Sequence, residues 1–265
     1  MFNYRGKTAL ITGASSGIGE IFARELAKRG MNLILVARTE EKLRTIATDL
    51  YQVYGVRTEV IVVDLSRENA AQDVFSAVEE KALTVDLLVN NAGFLNYAPF
   101  EQIPLEQDHA QVMVNVVALV DLTHKFIPGM LAKGEGAVIN LSSSGAFQPM
   151  PYMAVYGASK AFVLSFSEAL WAEYRHRGLR VLALCPGPTA TRSLVKIFDD
   201  GSATSPQRVV AVALKALEDG RNYVIPGLKN YWLANSIPRL MPRSITVQIL
   251  ERITRPRRGD INETR

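Results

Sequence analysis

Tyr156 and Lys160 are the residues of this sequence whose types and spacing most directly suggest chemistry. On a helix, positions i and i+4 share one face, so the phenol and the ammonium would lie one turn apart. A tyrosine titrates at about pH 10 in water, and a nearby cation stabilises its phenolate. The pair could therefore act as a general acid or base, but this spacing also recurs by chance, and other segments must decide.

A glycine-rich stretch at residues 12–19 follows directly on the apolar run 8–11. Its glycines allow a tight turn, a close backbone approach to a pyrophosphate and close packing of a helix on a strand. The free N–H groups at the start of the next helix then bind phosphate. No Lys-Ser/Thr pair follows the glycines, so the stretch is not a P-loop of the kinase type. It predicts a dinucleotide site.

Seven short β-rich runs alternate with helical patterns, and several are uninterrupted apolar, as expected of parallel strands covered on both faces. The pattern predicts an α/β fold with one Rossmann-type, doubly wound parallel sheet of about seven strands and a C-terminal helical extension. The predicted strands span residues 7–12, 32–37, 57–63, 87–90, 137–141, 180–184 and 223–225, and two of the predicted helices span 40–54 and 66–81.

The length of 265 residues, 48% of them hydrophobic, suits a single globular unit. We expect a catalytic region over residues 1–227 and a basic helical extension over 228–265 that belongs to the same domain. We expect no membrane span, because no apolar run is long enough to cross a bilayer, and the first residues lack the features of a signal peptide. These features predict a cytoplasmic protein. The lone Cys185 excludes an intrachain disulfide, and the three histidines show no metal-ligand spacing.

The formal net charge of +4 is unevenly distributed. From Arg221 onward there are nine Lys/Arg and three Asp/Glu, whereas the first 220 residues are slightly acidic. A basic amphipathic segment can lie on an anionic membrane as a peripheral contact, but we favour a cap over the substrate site or a subunit interface. No aromatic-basic platform supports a nucleic-acid partner.

The glycine stretch, residues 90–93 (Asn-Asn-Ala-Gly), the serines at 142–144, the Tyr156/Lys160 pair and residues 185–187 (Cys-Pro-Gly) occur in this order. Together they resemble the short-chain dehydrogenase/reductase family of the classical type, over roughly residues 7–191. The resemblance implies an oxidoreductase that interconverts a carbonyl and an alcohol of a small molecule with a nicotinamide cofactor. It also implies a homodimer or homotetramer.

The family's catalytic positions are filled in this chain. Ser143 lies thirteen residues before Tyr156, which is the family's spacing, with Ser142 and Ser144 as competitors on the opposite face of a strand. The resemblance gives Ser143 the role of positioning the carbonyl, Tyr156 that of proton donor, and Lys160 those of stabilising the tyrosinate and binding the nicotinamide ribose. Asn115 is a lone polar residue in an apolar helix and should have fixed hydrogen-bond partners; in the family it holds a water of the proton relay.

Ala37 and Arg38 end the predicted second strand, where NAD would favour an acid and NADP a cation. The cofactor is therefore predicted to be NADP(H). The residues expected to bind it are Gly13, Ser15, Ser16, Gly17, Ile18, Gly19, Arg38, Asp64, Leu65, Asn91, Ala92, Gly93, Tyr156, Lys160, Pro186, Gly187, Thr189 and Thr191, with Asn90 expected to be structural.

Specificity in the family lies in the loop after residue 191 and in residues that flank the serine and the tyrosine. The candidates here are mostly bulky and apolar, which indicates a hydrophobic carbonyl or alcohol, although ordinary lid packing would use the same residue types. The rival function is a catalytically silent NADPH-binding sensor or scaffold. The candidate substrate residues are Phe94, Phe147, Met150, Tyr152, Met153, Leu194, Ile197 and Phe198.

Overall fold

A computed structural model describes residues 2–190, 203–228, 230–232, 234 and 241–256 of the chain. Seven parallel strands form one sheet in the order β3-β2-β1-β4-β5-β6-β7. The predicted doubly wound sheet is thus confirmed. The strands are β1 (Thr8–Thr12), β2 (Asn32–Ala37), β3 (Thr58–Val62), β4 (Leu87–Asn90), β5 (Gly136–Leu141), β6 (Leu179–Leu184) and β7 (Tyr223–Val224).

Helices cover both faces of the sheet. Capping residues set the ends of several of these helices. Gly55 and Gly134, both in the left-handed region, end the helices Glu40–Tyr54 and Ala118–Lys133. At the start of the helix Pro206–Glu218, the Ser205 hydroxyl accepts from the backbone N–H of Arg208. The helices are α1 (Gly17–Lys28), α2 (Glu40–Tyr54), α3 (Ala70–Glu80), α4 (Leu105–Val112), α5 (Ala118–Lys133), α6 (Ala154–Tyr174), α7 (Pro206–Glu218) and α8 (Arg243–Thr254).

The start of α3 corrects the sequence prediction. The helix begins at Ala70 and not at residue 66, because the Asp64 carboxylate accepts hydrogen bonds from both the backbone N–H and the hydroxyl of Ser66. Asn69, just before the helix, has a φ of 61° in the left-handed region. A side-chain turn therefore competes with the helix over these residues.

The core lies in two layers on either side of the sheet. Along β2, Leu33 and Leu35 belong to one buried cluster, whereas Ile34 and Val36 belong to the other. This alternation follows from the strand period of two, and it explains why β2 is apolar at every one of these positions.

Residues Leu105–Lys133 form one helical stretch in which α4 and α5 are joined by a π-helical turn, Met113–Val117. Within the described part of the chain, this stretch alone is long and apolar enough to cross a membrane, with a mean hydropathy of 1.3 over its best window. This finding corrects the expectation that the chain has no stretch of this kind. Asn115 and Asp121 interrupt the apolar residues, so the stretch is not visible as a continuous apolar run in the sequence. Length and composition are weak evidence for a span, because a core helix meets the same criteria, and Leu122 and Phe126 pack in the core here.

The strand order reverses beside β1, whose two neighbours are β2 and β4. In open parallel sheets, ligands bind at the carboxyl ends of the strands where the order reverses. The glycine-rich stretch follows β1, and residues 90–93 complete and follow β4. The fold therefore brings these two segments to the edge where a ligand is expected.

The C-terminal helical extension is present as α8, which packs beside two loops near the same edge. The Tyr97 hydroxyl donates to the carbonyl of Thr254 over 2.9 Å, and the Tyr152 hydroxyl donates to the Glu251 carboxylate over 2.5 Å. The Thr254 hydroxyl lies 3.4 Å from the carbonyl of Pro151. These contacts attach α8 to the loop that follows β4 and to the loop that precedes α6.

Candidate active site

The turn between β1 and α1 is built for close backbone approach. Gly13 and Gly17 have φ values of 64° and 59°, in the region that favours glycine. A Cβ on Gly19 would lie 2.3 Å from the carbonyl oxygen of Gly13, so any side chain there would collide with the backbone. Ser16 precedes α1 in an extended conformation, and its side chain makes no capping hydrogen bond. The turn fits a pyrophosphate held by the N-terminus of α1.

Asn91 fastens the glycine turn to the end of β4. Its amide donates to the carbonyls of Thr12 and Gly13 over 2.8 and 3.3 Å. The Thr12 hydroxyl accepts from the backbone N–H groups of Asn91 and Ala92. The structure thus places Asn91 and Ala92 beside the turn, with the Asn91 amide occupied in holding it.

The ends of β2 and β3 bring Arg38 and Asp64 together. The guanidinium of Arg38 is 75% exposed and lies 3.9 Å from the Asp64 carboxylate, beyond hydrogen-bond distance. Burial acts to raise the pKa of Asp64, but hydrogen bonds from Ser66 and the nearby guanidinium groups of Arg38 and Arg67 outweigh it and leave the pKa below its ordinary value. Arg38 is therefore only loosely engaged and can turn towards an anion.

Three other predicted residues of this region pack inwards or beside the turn. The Leu65 side chain is buried in the same cluster as Val74 of α3. Ser15 and Ile18 are partly buried, and Ile18 packs against the opposite core cluster. Ser15 and Ile18 follow β1, and Leu65 follows β3. Of the three, only Ser15 has a polar side chain that could hydrogen bond to a cofactor.

Ser143 and Tyr156 meet beyond the end of β5. Ser143 is extended, and its hydroxyl accepts a hydrogen bond of 3.0 Å from the backbone N–H of Gly145. Tyr156 lies in the first turn of α6 and is partly buried. Burial raises the pKa of Tyr156, while its hydrogen bond with Ser143 acts in the opposite direction. The phenol is thus held protonated, with a hydroxyl beside it.

Lys160 lies one turn after Tyr156 and is 4% exposed. Its Nζ donates to the carbonyl oxygen of Leu141 over 2.8 Å and lies 5.8 Å from the centre of the Tyr156 ring. Burial lowers the pKa of Lys160 to about 8. The ammonium is therefore mostly charged at pH 7 and close to losing its proton.

The expectation that Lys160 lowers the pKa of Tyr156 is not met by the chain alone. The pKa of Tyr156 is raised because burial of the phenol outweighs the hydrogen bond with Ser143. The Lys160 ammonium is directed at the Leu141 carbonyl, and its Nζ lies 5.8 Å from the centre of the Tyr156 ring.

Ser142 faces the other way from Ser143, as strand alternation predicts. It is buried, and its hydroxyl donates to the backbone carbonyl of Lys160 over 2.7 Å. The hydrogen bond ties the end of β5 to α6. Ser142 is thus a structural hydroxyl, and the third serine, Ser144, begins a short 3-10 turn, Ser144–Phe147.

Asn115 lies in the π-helical turn and is buried with fixed partners, as predicted. Its Oδ1 accepts from the backbone N–H of Phe94 over 3.1 Å, and its Nδ2 donates to the Phe94 carbonyl and to the Ser159 hydroxyl. A Cβ on Gly93 would lie 2.9 Å from Asn115 Oδ1 and 3.3 Å from Lys160 Nζ. The missing side chain of Gly93 therefore leaves space bounded by both polar groups. Such π-turns often occur at functional sites.

Asn90 is structural, as expected. Its Nδ2 donates to the hydroxyl of Thr123 and to Oδ1 of Asn140, both over 2.9 Å. Asn140 in turn donates to Ser167 of α6. This buried network joins β4 and β5 to α5 and α6, which cover the same face of the sheet.

The segment after β6 lies next to Ser143. The carbonyl of Pro186 accepts from the backbone N–H of Ser144 over 2.8 Å. A Cβ on Gly187 would lie 2.5 Å from Nδ2 of Asn230, so a side chain there would displace the Asn230 amide. The Thr189 hydroxyl is buried and donates to the carbonyl of Gly187, so it is directed at its own turn. Thr191 lies outside the described residues.

The predicted substrate residues are only partly brought together. Phe94 is partly exposed beside Asn115, whereas Met153 is buried and Phe147 packs against Tyr223 with ring centres 5.8 Å apart. Met150 packs against Gly145 and Gly157. These contacts favour lid packing for Met153 and Phe147. Leu194, Ile197 and Phe198 lie outside the described residues.

Sequence reasoning missed several supporting residues. Ser159, which donates to the carbonyl of Tyr156 and accepts from Asn115, gives no sequence signal besides its place between Tyr156 and Lys160. Asn140 could have been found, since it is a lone amide in an apolar strand. Gln111, whose amide donates to the Phe94 carbonyl over 2.8 Å, lies one turn before Asn115.

A sequence model of the short chain dehydrogenase family matches residues 7–201. A very-long-chain 3-oxoacyl-CoA reductase from Anas platyrhynchos is 34% identical over 88% of this chain and 76% of its own length. The inactive hydroxysteroid dehydrogenase-like protein 1 from Homo sapiens is 37% identical over 70% of this chain. The chain spans only 57% of the length of that human protein and of a chicken relative, hydroxysteroid dehydrogenase-like protein 1 from Gallus gallus.

Solved structures agree with this match. The structure of a 7beta-hydroxysteroid dehydrogenase is 30% identical, with a TM-score of 0.87 over 93% of this chain and 97% of its own. A short-chain dehydrogenase from Sphingobium yanoikuyae in complex with NADPH is also 30% identical, with a TM-score of 0.78 over 96% of this chain and 97% of its own. The glycine turn, the parallel sheet and these matches lead to one conclusion: the chain belongs to the short chain dehydrogenase family of oxidoreductases, with a Rossmann fold for a nicotinamide dinucleotide.

Proposed function

We propose that this protein is an NADP(H)-dependent oxidoreductase that interconverts a carbonyl and an alcohol on a hydrophobic substrate, with Tyr156 as the acid and base. The observation that carries the proposal is the position of Tyr156, beside Ser143 and one helical turn before the buried Lys160. The bound cofactor would supply or accept the hydride. The chain's own residues have to orient the carbonyl and move the proton.

Carbonyl reduction needs a protonated acid near the oxygen that gains negative charge. Because burial raises the pKa of Tyr156, its phenol keeps its proton at neutral pH until charge develops on the substrate. Ser143 is held in place by the backbone N–H of Gly145, which leaves its own hydroxyl proton to donate. The two hydroxyls can therefore hydrogen bond to one substrate oxygen.

Resupply of the proton is assigned to Lys160 and Asn115. The space left by Gly93 is bounded by Lys160 Nζ and Asn115 Oδ1, and that oxygen has a second lone pair beyond the one that the Phe94 N–H uses. A water held there would join the two groups. The pKa of Lys160, about 8, is low enough for its ammonium to release a proton at modest cost.

The choice of NADP(H) depends on Arg38. Its exposed guanidinium follows β2 at the place where a 2′-phosphate would lie, and no acid occupies that place. The S. yanoikuyae relative was solved with NADPH, which supports the same choice here. Gly13, Gly17 and Gly19 would hold the pyrophosphate, and the residues around Pro186 and Gly187 would lie along the nicotinamide.

A hydrophobic substrate is supported by Phe94, which is partly exposed beside Asn115, and by the names of the relatives. These include a very-long-chain 3-oxoacyl-CoA reductase and a 7beta-hydroxysteroid dehydrogenase. We therefore propose a carbonyl on a long acyl chain or a fused ring system. A cytoplasmic location and a homodimer or homotetramer stay predictions.

The rival function is a catalytically silent NADPH-binding protein. It is favoured by the human relative that is called inactive. Tyr156 and Lys160 are both present here, which argues for activity.

One experiment separates the two functions. NADPH binding by fluorescence and NADPH oxidation with a long-chain 3-oxoacyl-CoA and a ketosteroid would be measured for the native chain, for Tyr156→Phe and for the exposed control Tyr51→Phe. We expect Tyr156→Phe to bind NADPH normally and to lose at least about a hundredfold in turnover, since a general acid contributes roughly 10²–10⁴-fold. Unchanged turnover in Tyr156→Phe would exclude Tyr156 as the acid. NADPH binding without turnover in the native chain would favour the silent protein.

A further inference from the structure

The outer face of α8 exposes a row of isoleucine side chains to solvent. Ile245, Ile249 and Ile253 follow one another at four-residue intervals on one face of the helix, and they are 45%, 41% and 71% exposed. A helix on a protein surface normally turns its apolar face to the core. Here the isoleucines point away from it.

The inner side of α8 is held by polar contacts. The neighbouring row carries Thr246 and Thr254, which are both buried. The carbonyl of Thr254 accepts from the Tyr97 hydroxyl, and Glu251 accepts from the Tyr152 hydroxyl. The Thr254 hydroxyl donates to the Leu250 carbonyl of its own helix over 2.8 Å and lies 3.4 Å from the carbonyl of Pro151. Because these bonds already attach the helix to the body, the isoleucines are not needed for that attachment.

We infer that the isoleucine row of α8, together with Arg252 beside it and Arg243 at the start of the helix, is a docking surface for an anionic lipid bilayer. A helix that lies in the membrane interface has an apolar face inserted between lipids and basic residues at the headgroups. Arg252 lies next to the row, three residues from Ile249. Arg243 is exposed in the first turn of the helix, on a different side from the row, and contributes to the positive charge of the segment. The inference does not depend on the proposed oxidoreductase activity.

Charge favours a bilayer over a second copy of this chain. Residues 221–265 carry nine Lys/Arg and three Asp/Glu. Two copies joined through α8 would bring two such basic segments together, whereas the negative potential of an anionic leaflet attracts each of them. Attachment to the body and contact with a membrane use different sides of the helix, so α8 can cap the loop before α6 and bind lipid at the same time.

The position of α8 would also bring a bound bilayer close to the candidate active site. The contacts of α8 with Pro151 and Tyr152 lie just before α6, and Tyr156 is in the first turn of that helix. A bilayer on the outer side of α8 would therefore lie near the substrate side of the candidate active site. Apolar compounds dissolved in the bilayer would have a short path to it.

The test is sedimentation of the full chain with vesicles. Vesicles of phosphatidylcholine with about a third phosphatidylserine, and of phosphatidylcholine alone, would be used at low and at high salt, since surface electrostatics are screened by salt. The native chain should sediment with the anionic vesicles at low salt. The triple variant Ile245→Ser/Ile249→Ser/Ile253→Ser should bind at least tenfold more weakly, and Arg243→Gln/Arg252→Gln roughly thirtyfold more weakly at low salt.

Matched controls remove the same groups elsewhere. Tyr51→Ser/Val53→Ser removes two exposed apolar side chains from α2, and Arg5→Gln/Lys28→Gln removes two exposed charges; both should sediment like the native chain. Circular dichroism would verify folding, and because the arginine pair is exposed, its variant tests the inference even if the isoleucine variant misfolds.

Two results would overturn the inference. One is unchanged vesicle binding in both the isoleucine and the arginine variants. The other is a change from dimer to monomer in the isoleucine variant, measured by sedimentation velocity, with vesicle binding unaltered, which would assign the surface to contact between copies.

Discussion

The ammonium of Lys160 donates a 2.8 Å hydrogen bond to the carbonyl of Leu141, the last residue of β5. This bond holds a buried cation between β5 and α6, one turn from Tyr156. The cost of that burial is visible in the pKa of Lys160, which falls from about 10.5 to about 8.

Lys160→Met should abolish turnover and change how stability depends on pH. Because the pKa of Lys160 is lower in the folded state than in the unfolded state, the buried charge reduces the free energy of unfolding below about pH 8. This reduction disappears as the pH rises towards the unfolded pKa of about 10.5. The shift corresponds to roughly 3 kcal/mol. The stability of the variant relative to the native chain should therefore fall by about 3 kcal/mol between pH 7 and pH 10.5.

Urea unfolding at several pH values measures this difference. The exposed Lys28→Met serves as the control for loss of a lysine. A stability difference between Lys160→Met and the native chain that stays constant over this pH range would show that Lys160 is not held at a lowered pKa.

Gly93→Ala should impair turnover by filling the space between Asn115 and Lys160. The new methyl group would lie 2.9 Å from Asn115 Oδ1, closer than side chains normally approach. Displacing these groups should cost about 1–3 kcal/mol in the free energy of unfolding. In contrast, Gly129→Ala in α5 meets no atom within 4 Å and should gain up to about 1 kcal/mol from helix propensity. Thermal unfolding and steady-state kinetics would compare the two, and equal behaviour would contradict the role of this space.

Arg38→Gln should weaken NADPH binding by ten- to a hundredfold and leave NADH binding nearly unchanged. The expected loss follows from about 1.5–3 kcal/mol for a hydrogen bond to a charged group. Arg67→Gln is the matched control, because Arg67 is another exposed arginine that lowers the pKa of Asp64. Fluorescence titration of both cofactors gives the answer. If affinity for NADH and NADPH fell together, Arg38 would not select the 2′-phosphate.

Ser142→Ala and Ser143→Ala should have opposite signatures. Ser142→Ala leaves the carbonyl of Lys160 without its buried donor and should cost about 1–3 kcal/mol of stability. Ser143→Ala should leave stability almost unchanged but lower kcat about a hundredfold, as expected when a donor to the developing oxyanion is lost. Ser144→Ala, the third serine of the run, should affect neither strongly. A kinetic loss centred on Ser144 would reassign the catalytic serine.

The local sequence pattern predicted the bounds of those helices and strands whose ends depend only on nearby residues. The bounds of β2, β4 and α2 agree with the sequence prediction, because continuous apolar runs and the terminal Gly55 set them. The start of α3 was placed too early, since Asp64 binds Ser66 and replaces the first helical turn. The π-turn around Asn115 had no sequence signal, because its hydrogen bonds to Phe94 and Ser159 involve distant segments.

The sequence by itself determined the family, the parallel sheet and the residue types of the site, since these follow from apolar periodicity, glycine spacing and motif order. Tertiary structure decided which groups touch and how they titrate. It gave Ser142 the Lys160 carbonyl as its partner, directed the Lys160 ammonium at the Leu141 carbonyl and raised the pKa of Tyr156 through burial. The physical reason is burial: the cost of removing a charge from water depends on every surrounding segment and cannot be read from the spacing of two residues.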